Sequence, residues 1–370
     1  MGIYERLGVK TLINARGTAT ALGGTLMPPE VLRAMYEASQ AFVDLSELLQ
    51  KAGERIAELI GVEAAQVSSG AAGGMTLAAA ACILNGKRNR INDLPDTTGL
   101  KGEIIIPRRH RFGYDQSFRM AGAKLIEVGT PEGTRPEEVK AAVNENTGAI
   151  AYIIAFADAG KISLEDVIQV AKSANVPVIV DAASELPPAT NLTKYWRMGA
   201  DLSVFSGGKG LMGPQCTGLI LGRKALIEMC AMCGNPNAGI GRGMKVGKEE
   251  IAGLVAAVEL YVSKDHVADL RRWERLVDNI VDELKDIPHI TAKHLPASEA
   301  RYPMPYALIT FDEANLGLTK AEIVNLLQTG EPNMRVGETG NGILINPHTL
   351  QDGEEKIIAK RIKEIVERKG

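Results

Sequence analysis

Five short runs rich in apolar and β-branched residues, spread over positions 103–221, constrain the fold of this chain more than any other feature. They lie at 103–106 (Glu-Ile-Ile-Ile), 149–156 (Ala-Ile-Ala-Tyr-Ile-Ile-Ala-Phe), 177–180 (Pro-Val-Ile-Val), 201–205 (Asp-Leu-Ser-Val-Phe) and 217–221 (Thr-Gly-Leu-Ile-Leu). Near-continuous apolar runs of this kind suit strands that are buried on both faces. Helical patterns fall between them. Over 163–174, for example, Leu164, Val167, Ile168 and Ala171 recur at helix spacing, with Ser163 and Asp166 as a capping signal at the start. Buried strands alternating with helices predict an α/β domain built on a mainly parallel sheet with both faces covered.

The pattern changes near residue 246. A long helical stretch is predicted over about 247–286, then a strand at 305–311, a helix at 318–329, short strands near 334–336 and 342–345, and a final amphipathic helix at 352–368. That succession describes a smaller α+β C-terminal domain. The first 30 residues read as extended and Gly-rich. The expected organisation is therefore an N-terminal arm (1–30), a large α/β domain (31–246), and a linker helix with the small domain (247–370). No internal repeat is evident.

Length and charge narrow the function classes. A chain of 370 residues, 45% hydrophobic and 24% charged, has ample material for a large core. Its 42 Lys and Arg against 45 Asp and Glu leave a net charge of −3 with no polybasic tract, so the charge balance does not favour nucleic acid or an acidic membrane as partner. No apolar stretch approaches the ~20 residues of a membrane span. The N-terminus lacks the basic-then-apolar plan of a signal peptide, and a cytoplasmic location is expected. Four cysteines (Cys82, Cys216, Cys230 and Cys233) suit a reducing compartment. Cys230 and Cys233 form a C-x-x-C with no second pair at zinc-site spacing, and the five histidines form no metal motif. No metal is expected.

Three features carry chemistry. Ser68-Ser69-Gly70-Ala71-Ala72-Gly73-Gly74 precedes the helical run Met75 to Leu84; small residues there let backbone N–H groups approach an anion, and a serine hydroxyl adds a donor. Close packing at a helix start reads equally well. Asp181 follows Val178-Ile179-Val180, at the carboxyl end of a buried strand where open α/β sheets bind ligands, or else caps the next helix. The third is Ser206-Gly-Gly-Lys209-Gly-Leu-Met-Gly-Pro-Gln215. Its glycines leave Lys209 without bulky neighbours, and a desolvated lysine becomes a nucleophile toward an aldehyde; a surface loop lysine is the plainer alternative. Taken together, an anion cradle, a strand-end acid and a loop lysine meet the needs of pyridoxal 5′-phosphate (PLP): donors for the phosphate, Asp181 for the pyridinium nitrogen, Lys209 for the aldehyde. Asp181 and Lys209 stand 28 positions apart, in the order of fold-type I PLP enzymes.

The lysine loop Ser206–Gln215 resembles that of bacterial selenocysteine synthase and its shorter relatives. So do Ile13-Asn14-Ala15-Arg16-Gly17-Thr18 and the following Leu22-Gly23-Gly24. The likeness covers most of the chain and is nearest the branch that includes D-glucosaminate-6-phosphate ammonia-lyase. It implies the fold-type I, aspartate-aminotransferase-like fold, PLP on Lys209, and active sites at a homodimer or higher homo-oligomer interface. It further implies that Ser69, Gly70, Ala71 and Ser206 hold the phosphate, helped by Arg242 and Lys245 in Gly-Ile-Gly-Arg-Gly-Met-Lys. His110, in Pro-Arg-Arg-His-Arg-Phe-Gly, is a candidate to stack on the ring, or a histidine of a basic loop. For the substrate carboxylate the candidates are Arg335 and then Arg16, while Glu185 either lines the site or begins a helix. Arg108, Arg109 and Arg111 would suit a phosphorylated sugar acid, or a solvated loop. The full synthase carries an additional N-terminal tRNA-binding segment, whereas this chain begins almost at the Asn-Ala-Arg-Gly motif, so charged tRNA is not the expected substrate. The expected activity is a PLP-dependent lyase that removes water and ammonia from a 2-amino-3-hydroxy acid such as D-glucosaminate 6-phosphate. The alternatives are a racemase, an aldolase, a decarboxylase or a selenocysteine-synthase-like β-replacement, and, from another class, a non-catalytic tRNA- or protein-binding relative. A nicotinamide enzyme fails for want of a fingerprint, since Met244 stands where the last Gly of G-x-G-x-x-G belongs.

Overall fold

In the computed structural model of the chain, described over residues 2–157, 161–297 and 304–367, all five apolar runs form strands. The chain divides into two units, Met27–Lys264 and Met1–Leu26 with Asp265–Gly370. Strand β1 (Leu12–Ala15) belongs to the second unit. The first holds β2 (Ala64–Ser69), β3 (Glu103–Pro107), β4 (Lys124–Val128), β5 (Thr147–Ile153), β6 (Val178–Asp181), β7 (Leu202–Ser206) and β8 (Thr217–Gly222). Their order in the sheet is β2-β8-β7-β6-β5-β3-β4. Neighbours from β4 to β7 are parallel, and β8 runs antiparallel to both β7 and β2.

Alternate residues of each strand serve opposite faces, which is why the runs are apolar throughout. Ile104, Ile106, Ile153, Ile179, Val204 and Ile220 pack with helix Gly70–Leu84, buried at every residue from Gly73 onward. Its small side chains, Ala78 to Ala81 among them, let the helix lie close to the sheet. On the other face Ile105, Ile150, Tyr152, Val178, Val180 and Phe205 share a core with helices Leu45–Ile60, Leu164–Ala174 and Lys248–Ser263. The Ser163 hydroxyl caps the second of these by accepting from the Asp166 N–H.

The smaller unit adds β9 (Ile290–Leu295), β10 (Tyr306–Phe311), β11 (Asn333–Thr339) and β12 (Gly342–Ile345), in the order β1-β11-β12-β10-β9. Only β1 and β11 are parallel within it. Burial alternates along β10, the mark of a sheet covered on one face. Helices His266–Leu284, Lys320–Thr329 and Glu354–Glu367 supply the core residues for that face.

Three boundaries differ from the sequence reading. The segment expected as an arm over 1–30 is shared between the units: β1 pairs with β11, Asn14 opposite Arg335, while helix Pro29–Ser39 lies in the large unit. There it packs on helix Lys248–Ser263 so closely that a Cβ on Gly253 would sit 2.7 Å from Met35 Cγ. The stretch expected as one helix over 247–286 is two, Lys248–Ser263 and His266–Leu284. Asp265 starts the second by accepting from the N–H groups of Val267 and Ala268 at 2.9 and 3.1 Å, and the units divide at that cap rather than after 246. The run 149–156 is strand only to Ile153, with one 3₁₀ turn over Ile154–Phe156. Among the described residues no helix is long and apolar enough to cross a membrane.

Candidate active site

Because β3, β5, β6 and β7 are parallel, their carboxyl ends lie along one edge of the sheet. Asp181 is the last residue of β6, with Ile153 and Val204 as its register partners on β5 and β7. It is 6% exposed, and its Oδ1 accepts from the Ala183 N–H at 3.0 Å. Burial pushes its carboxyl above the ordinary carboxylate range, against the Ala183 amide and the Lys209 charge, which favour ionisation. Lys209, in the turn after β7, shows the mirror image: burial pulls its amine below the ordinary lysine range, and Asp181 and then Glu185 pull it back. The structure thus brings Asp181, Lys209 and Glu185 into one electrostatic group.

The lysine loop is fixed by backbone contacts. Gly207 N–H donates to the Thr217 carbonyl and Gly213 N–H to the Gly207 carbonyl, both at 2.8 Å, and Met212 N–H donates to the Lys209 carbonyl at 2.9 Å. A Cβ on Gly207 would overlap the Thr217 hydroxyl, one on Gly208 would overlap the Gln215 Cα, and one on Gly210 would lie 2.5 Å from Leu186 Cβ. The glycines are therefore required by close approach, and the side chain between them is Lys209. Thr217 escaped the sequence reading. It is fully buried, and its hydroxyl donates to the Pro214 carbonyl at 2.6 Å, pinning the far side of the loop. A polar residue opening an otherwise apolar strand was the available signal.

At the cradle, β2 ends at Ser69 and the helix begins at Gly70, five residues earlier than the run from Met75. Gly70 has φ +63°, and nothing lies within 4 Å of where its Cβ would be. The Ser68 hydroxyl donates to the Gly70 carbonyl at 3.0 Å, and a Cβ on Gly218 would overlap that same carbonyl. The Ser69 hydroxyl caps no amide of its own helix. Ala71 is buried in the first turn. Met244 reaches this end of the helix, its Sδ 3.7 Å from where a Gly73 Cβ would stand. The neighbouring Arg242 and Lys245 are exposed, with Arg242 Nη1 donating to Asn235 at 3.2 Å.

His110 closes a 3₁₀ turn, Arg108–His110, just after β3, and is wholly buried rather than part of a solvated loop. Its Nδ1 accepts from the Ile153 N–H at 3.2 Å, and the Tyr152 ring meets it edge-on at 4.6 Å and 77°. Burial drives its pKa down to about 4, though the Phe156 backbone favours the charged ring. The neighbouring arginines are partly committed. Arg111 pairs with Asp115 at 2.5 Å and with Glu127, and Arg109 donates to the Pro131 carbonyl at 2.6 Å.

Arg335 and Arg16 lie in the smaller unit. Arg335 Nη1 donates to the carbonyls of Gln328 and Met334 at 3.2 and 3.3 Å and to the Asn333 side chain. Arg16 is exposed, its backbone N–H held by Asn14 Oδ1 at 3.0 Å. The Asn-Ala-Arg-Gly motif folds as a turn on Asn346: Gly17 has φ +90°, and its Cβ would lie 2.5 Å from Asn346 Nδ2. Among the described residues no cluster of three or more His, Cys, Asp or Glu could hold a metal. Cys230 and Cys233 are buried free thiols, and burial pushes Cys233 up to about 12. A cavity of about 760 Å³ opens beside β2 between helices Leu45–Ile60 and Lys224–Cys233, and none of the site residues lines it.

Comparison with known proteins gives one consistent family. The family model described as "SelA: L-seryl-tRNA selenium transferase" matches residues 12–301. D-glucosaminate-6-phosphate ammonia lyase of Salmonella typhimurium is 32% identical over 99% of this chain and 98% of its own length. A 5'-C-glycyluridine monooxygenase-decarboxylase of a Streptomyces species is 31% identical over 98% of this chain and 92% of its own. Among solved structures, a D-glucosaminate-6-phosphate ammonia-lyase superposes with a TM-score of 0.88 at 30% identity, covering 100% of this chain and 99% of the other. The fold is accordingly the α/β, mainly parallel, fold-type I architecture that the lysine loop implied.

Proposed function

The chain belongs to the L-seryl-tRNA selenium transferase family, and within it we propose that the protein is a PLP-dependent ammonia-lyase acting on a 2-amino-3-hydroxy acid. D-glucosaminate 6-phosphate is the first substrate to try, on the strength of the full-length relative of that activity. One observation carries the reading: at the carboxyl edge of the sheet, burial shifts the buried Asp181 and the half-buried Lys209 in opposite directions, and the charge of each opposes the other's shift. An acid beside a nucleophilic amine, next to a glycine-rich helix start, fits what PLP requires of a protein.

In this reading Ser69, Gly70, Ala71 and Ser206 hold the phosphate, the helix N-terminus favouring its charge, with Arg242 and Lys245 as outer cations. Asp181 keeps a proton on the pyridine nitrogen. When bound, the cofactor supplies an aldehyde for the amine and a cationic ring that draws electron density from Cα. Lys209, biased by burial toward the neutral amine, would hold the cofactor's aldehyde and serve as the base for the Cα proton. Glu185 supports the lysine when it is charged. Arg335, with Arg16 second, binds the substrate carboxylate. The balance is loss of the β-hydroxyl as water, then hydrolysis of the unsaturated amine to a 2-keto acid and ammonia.

A second reading keeps the cofactor and changes the broken bond, as the name of the Streptomyces relative suggests. We also infer a homodimer or higher homo-oligomer, supported by the exposed apolar side chains of Leu32, Tyr36, Phe42 and Val43. A cytoplasmic location suits the free cysteines. Charged tRNA is not the proposed substrate, because acidic residues outnumber basic ones, 45 to 42.

The test begins with an absorption spectrum of protein given PLP, before and after borohydride, and peptide mapping of the adduct. Pyridoxyl on Lys209, followed by stoichiometric ammonia and 2-keto acid from D-glucosaminate 6-phosphate, is the expected result. Release of carbon dioxide without ammonia would favour the second reading. Absence of any adduct in folded protein would end both.

A further inference from the structure

Three arginines follow β3, and the structure commits two of them. Arg111 is spent on Asp115 and Glu127, and Arg109 Nη1 on the Pro131 carbonyl. Arg108 is exposed, and among the described residues it meets opposite charge only through space, at Glu132. Glu132 sits in the turn after β4, where Thr130 N–H donates to the Gly133 carbonyl at 2.8 Å and Glu132 N–H to the Thr130 hydroxyl at 3.2 Å. Its carboxyl is held below the ordinary range by the Thr130 hydroxyl first, and the charges of Lys161 and Arg108 act in the same direction. Lys161, on the connection after β5, lays its stem on that turn: a Cβ on Gly133 would lie 2.9 Å from Lys161 Cβ and Cδ. Its backbone is left-handed, φ +55°, a conformation that non-glycine residues adopt at a cost and that clusters at ligand sites. Lys161 too is exposed. Two exposed cations thus share one exposed carboxylate, with Arg109 fixed at the same turn, and the corner carries surplus positive charge.

We infer that Arg108 and Lys161 bind a phosphate at the far end of the substrate, and so select a phosphorylated over an unphosphorylated 2-amino-3-hydroxy acid. The inference rests on the proposed lyase reading and adds the residues that set its specificity. Strands β3 to β6 are parallel, so these connections leave the same edge of the sheet that holds Asp181. β3 stands two strands from β6, about 10 Å at the usual spacing. In an extended six-carbon acid the phosphorus lies about 7 Å from Cα, six bonds at roughly 1.2 Å of advance each. The arginine side chain spans the remainder. A guanidinium meets two phosphate oxygens at once and an ammonium takes a third, so charge and direction act together. Glu132 opposes any anion at this corner, and the double charge of a phosphate monoester overcomes that opposition best. A neutral hydroxyl in the same place gains neither term.

The experiment uses the full-length protein loaded with PLP, at low ionic strength, where exposed charges are least screened. The probe is D-glucitol 6-phosphate, which carries the phosphate but no amine, titrated by calorimetry against D-glucitol. Wild type should bind only the phosphorylated form. Arg108→Gln should weaken that binding by about 10–100-fold, the worth of a charge-assisted pairing, and Lys161→Gln by about 3–10-fold. Glu132→Gln should tighten it by about twofold to fivefold, a change of opposite sign that a merely structural part for these residues would not produce. In ammonia release, Arg108→Gln should raise KM for D-glucosaminate 6-phosphate over the range of its binding loss and leave kcat within about twofold. Wild type indifferent to the phosphate, wild-type affinity in Arg108→Gln, or unchanged affinity in Glu132→Gln would overturn the inference. So would a probe that binds without competing with D-glucosaminate 6-phosphate, since its phosphate would then occupy a separate effector site. Pyridoxyl trapped on Lys209, and ammonia release by wild type, report the lyase reading separately, so its failure is not confused with a failure of the phosphate corner.

Discussion

Gly208→Ala isolates what the lysine loop does. The added Cβ would overlap the Gln215 Cα, with the Gln215 nitrogen and Cβ each at 3.1 Å. These are mostly backbone atoms on the returning half of the same loop, so no side-chain rotation relieves the clash. The loop must open by about an ångström, and overpacking of that kind costs about 1–3 kcal/mol. The displaced residue is the immediate neighbour of Lys209, and a shift of about 1 Å in a reacting group costs about 10²-fold in rate. Gly61→Ala is the matched control. Gly61 ends helix Leu45–Ile60 at φ +77° with nothing within 4 Å of its Cβ, so its substitution strains the backbone without touching the loop. It should cost about 1 kcal/mol of stability and leave kcat intact. The assay pairs urea unfolding with ammonia release at saturating PLP. If Gly208→Ala lost stability but kept kcat/KM within twofold of wild type, close packing of the glycines would not be what positions the lysine.

Further expectations concern the charges and the supports. The folded Lys209 pKa lies below its ordinary 10.5, so the unfolded chain binds more protons between those two values and stability rises with pH across that window; Lys209→Met should lack this rise in urea titrations between pH 8 and 10.5, and an identical slope would contradict it. Asp181→Asn keeps an acceptor for the Ala183 N–H but removes the charge that raises the Lys209 pKa, so reductive methylation of Lys209 should reach its midpoint at lower pH. Arg335→Lys should raise KM for the amino acid by about 10–30-fold through loss of a bidentate pairing, with the cofactor spectrum unchanged; a spectral change would assign Arg335 a different task. Thr217→Val removes one of two donors on the Pro214 carbonyl, which keeps the Thr217 N–H at 2.9 Å, and should cost about 0.5–1.5 kcal/mol in urea unfolding.

The sequence made the sheet legible because burial on both faces leaves a visible mark. Ile104, Ile105 and Ile106 face alternate cores, and a run with no polar member has nowhere else to go. Asp181 and Lys209 were legible for the converse reason, as charges set where the chain is otherwise apolar or glycine. What sequence could not supply was the partner of each small residue. The glycines of the lysine loop suggest flexibility in one dimension, and only the fold shows that Thr217, Gln215 and Leu186 stand against them. The helix break at Asp265 was within reach, since an aspartate preceding an amphipathic run is a cap signal, but the apolar pattern continued across it. His110 read equally as a ring-stacking candidate and as part of a basic loop, because its neighbours are arginines. Its burial follows from Ile153 and Tyr152, which are more than forty residues away along the chain.

The opposed shifts of Asp181 and Lys209 explain why the two charges belong together. A buried carboxylate left alone takes up a proton, and a buried amine left alone gives one away. Placed at the ends of neighbouring strands, each holds the other closer to its charged form, and neither burial could be sustained without its partner unless the group were neutral. In the proposed reading, an Asp181 whose charge was shared with a ring nitrogen would support the lysine cation less, and burial would carry Lys209 further toward the neutral amine, with Glu185 as the second carboxylate opposing that change.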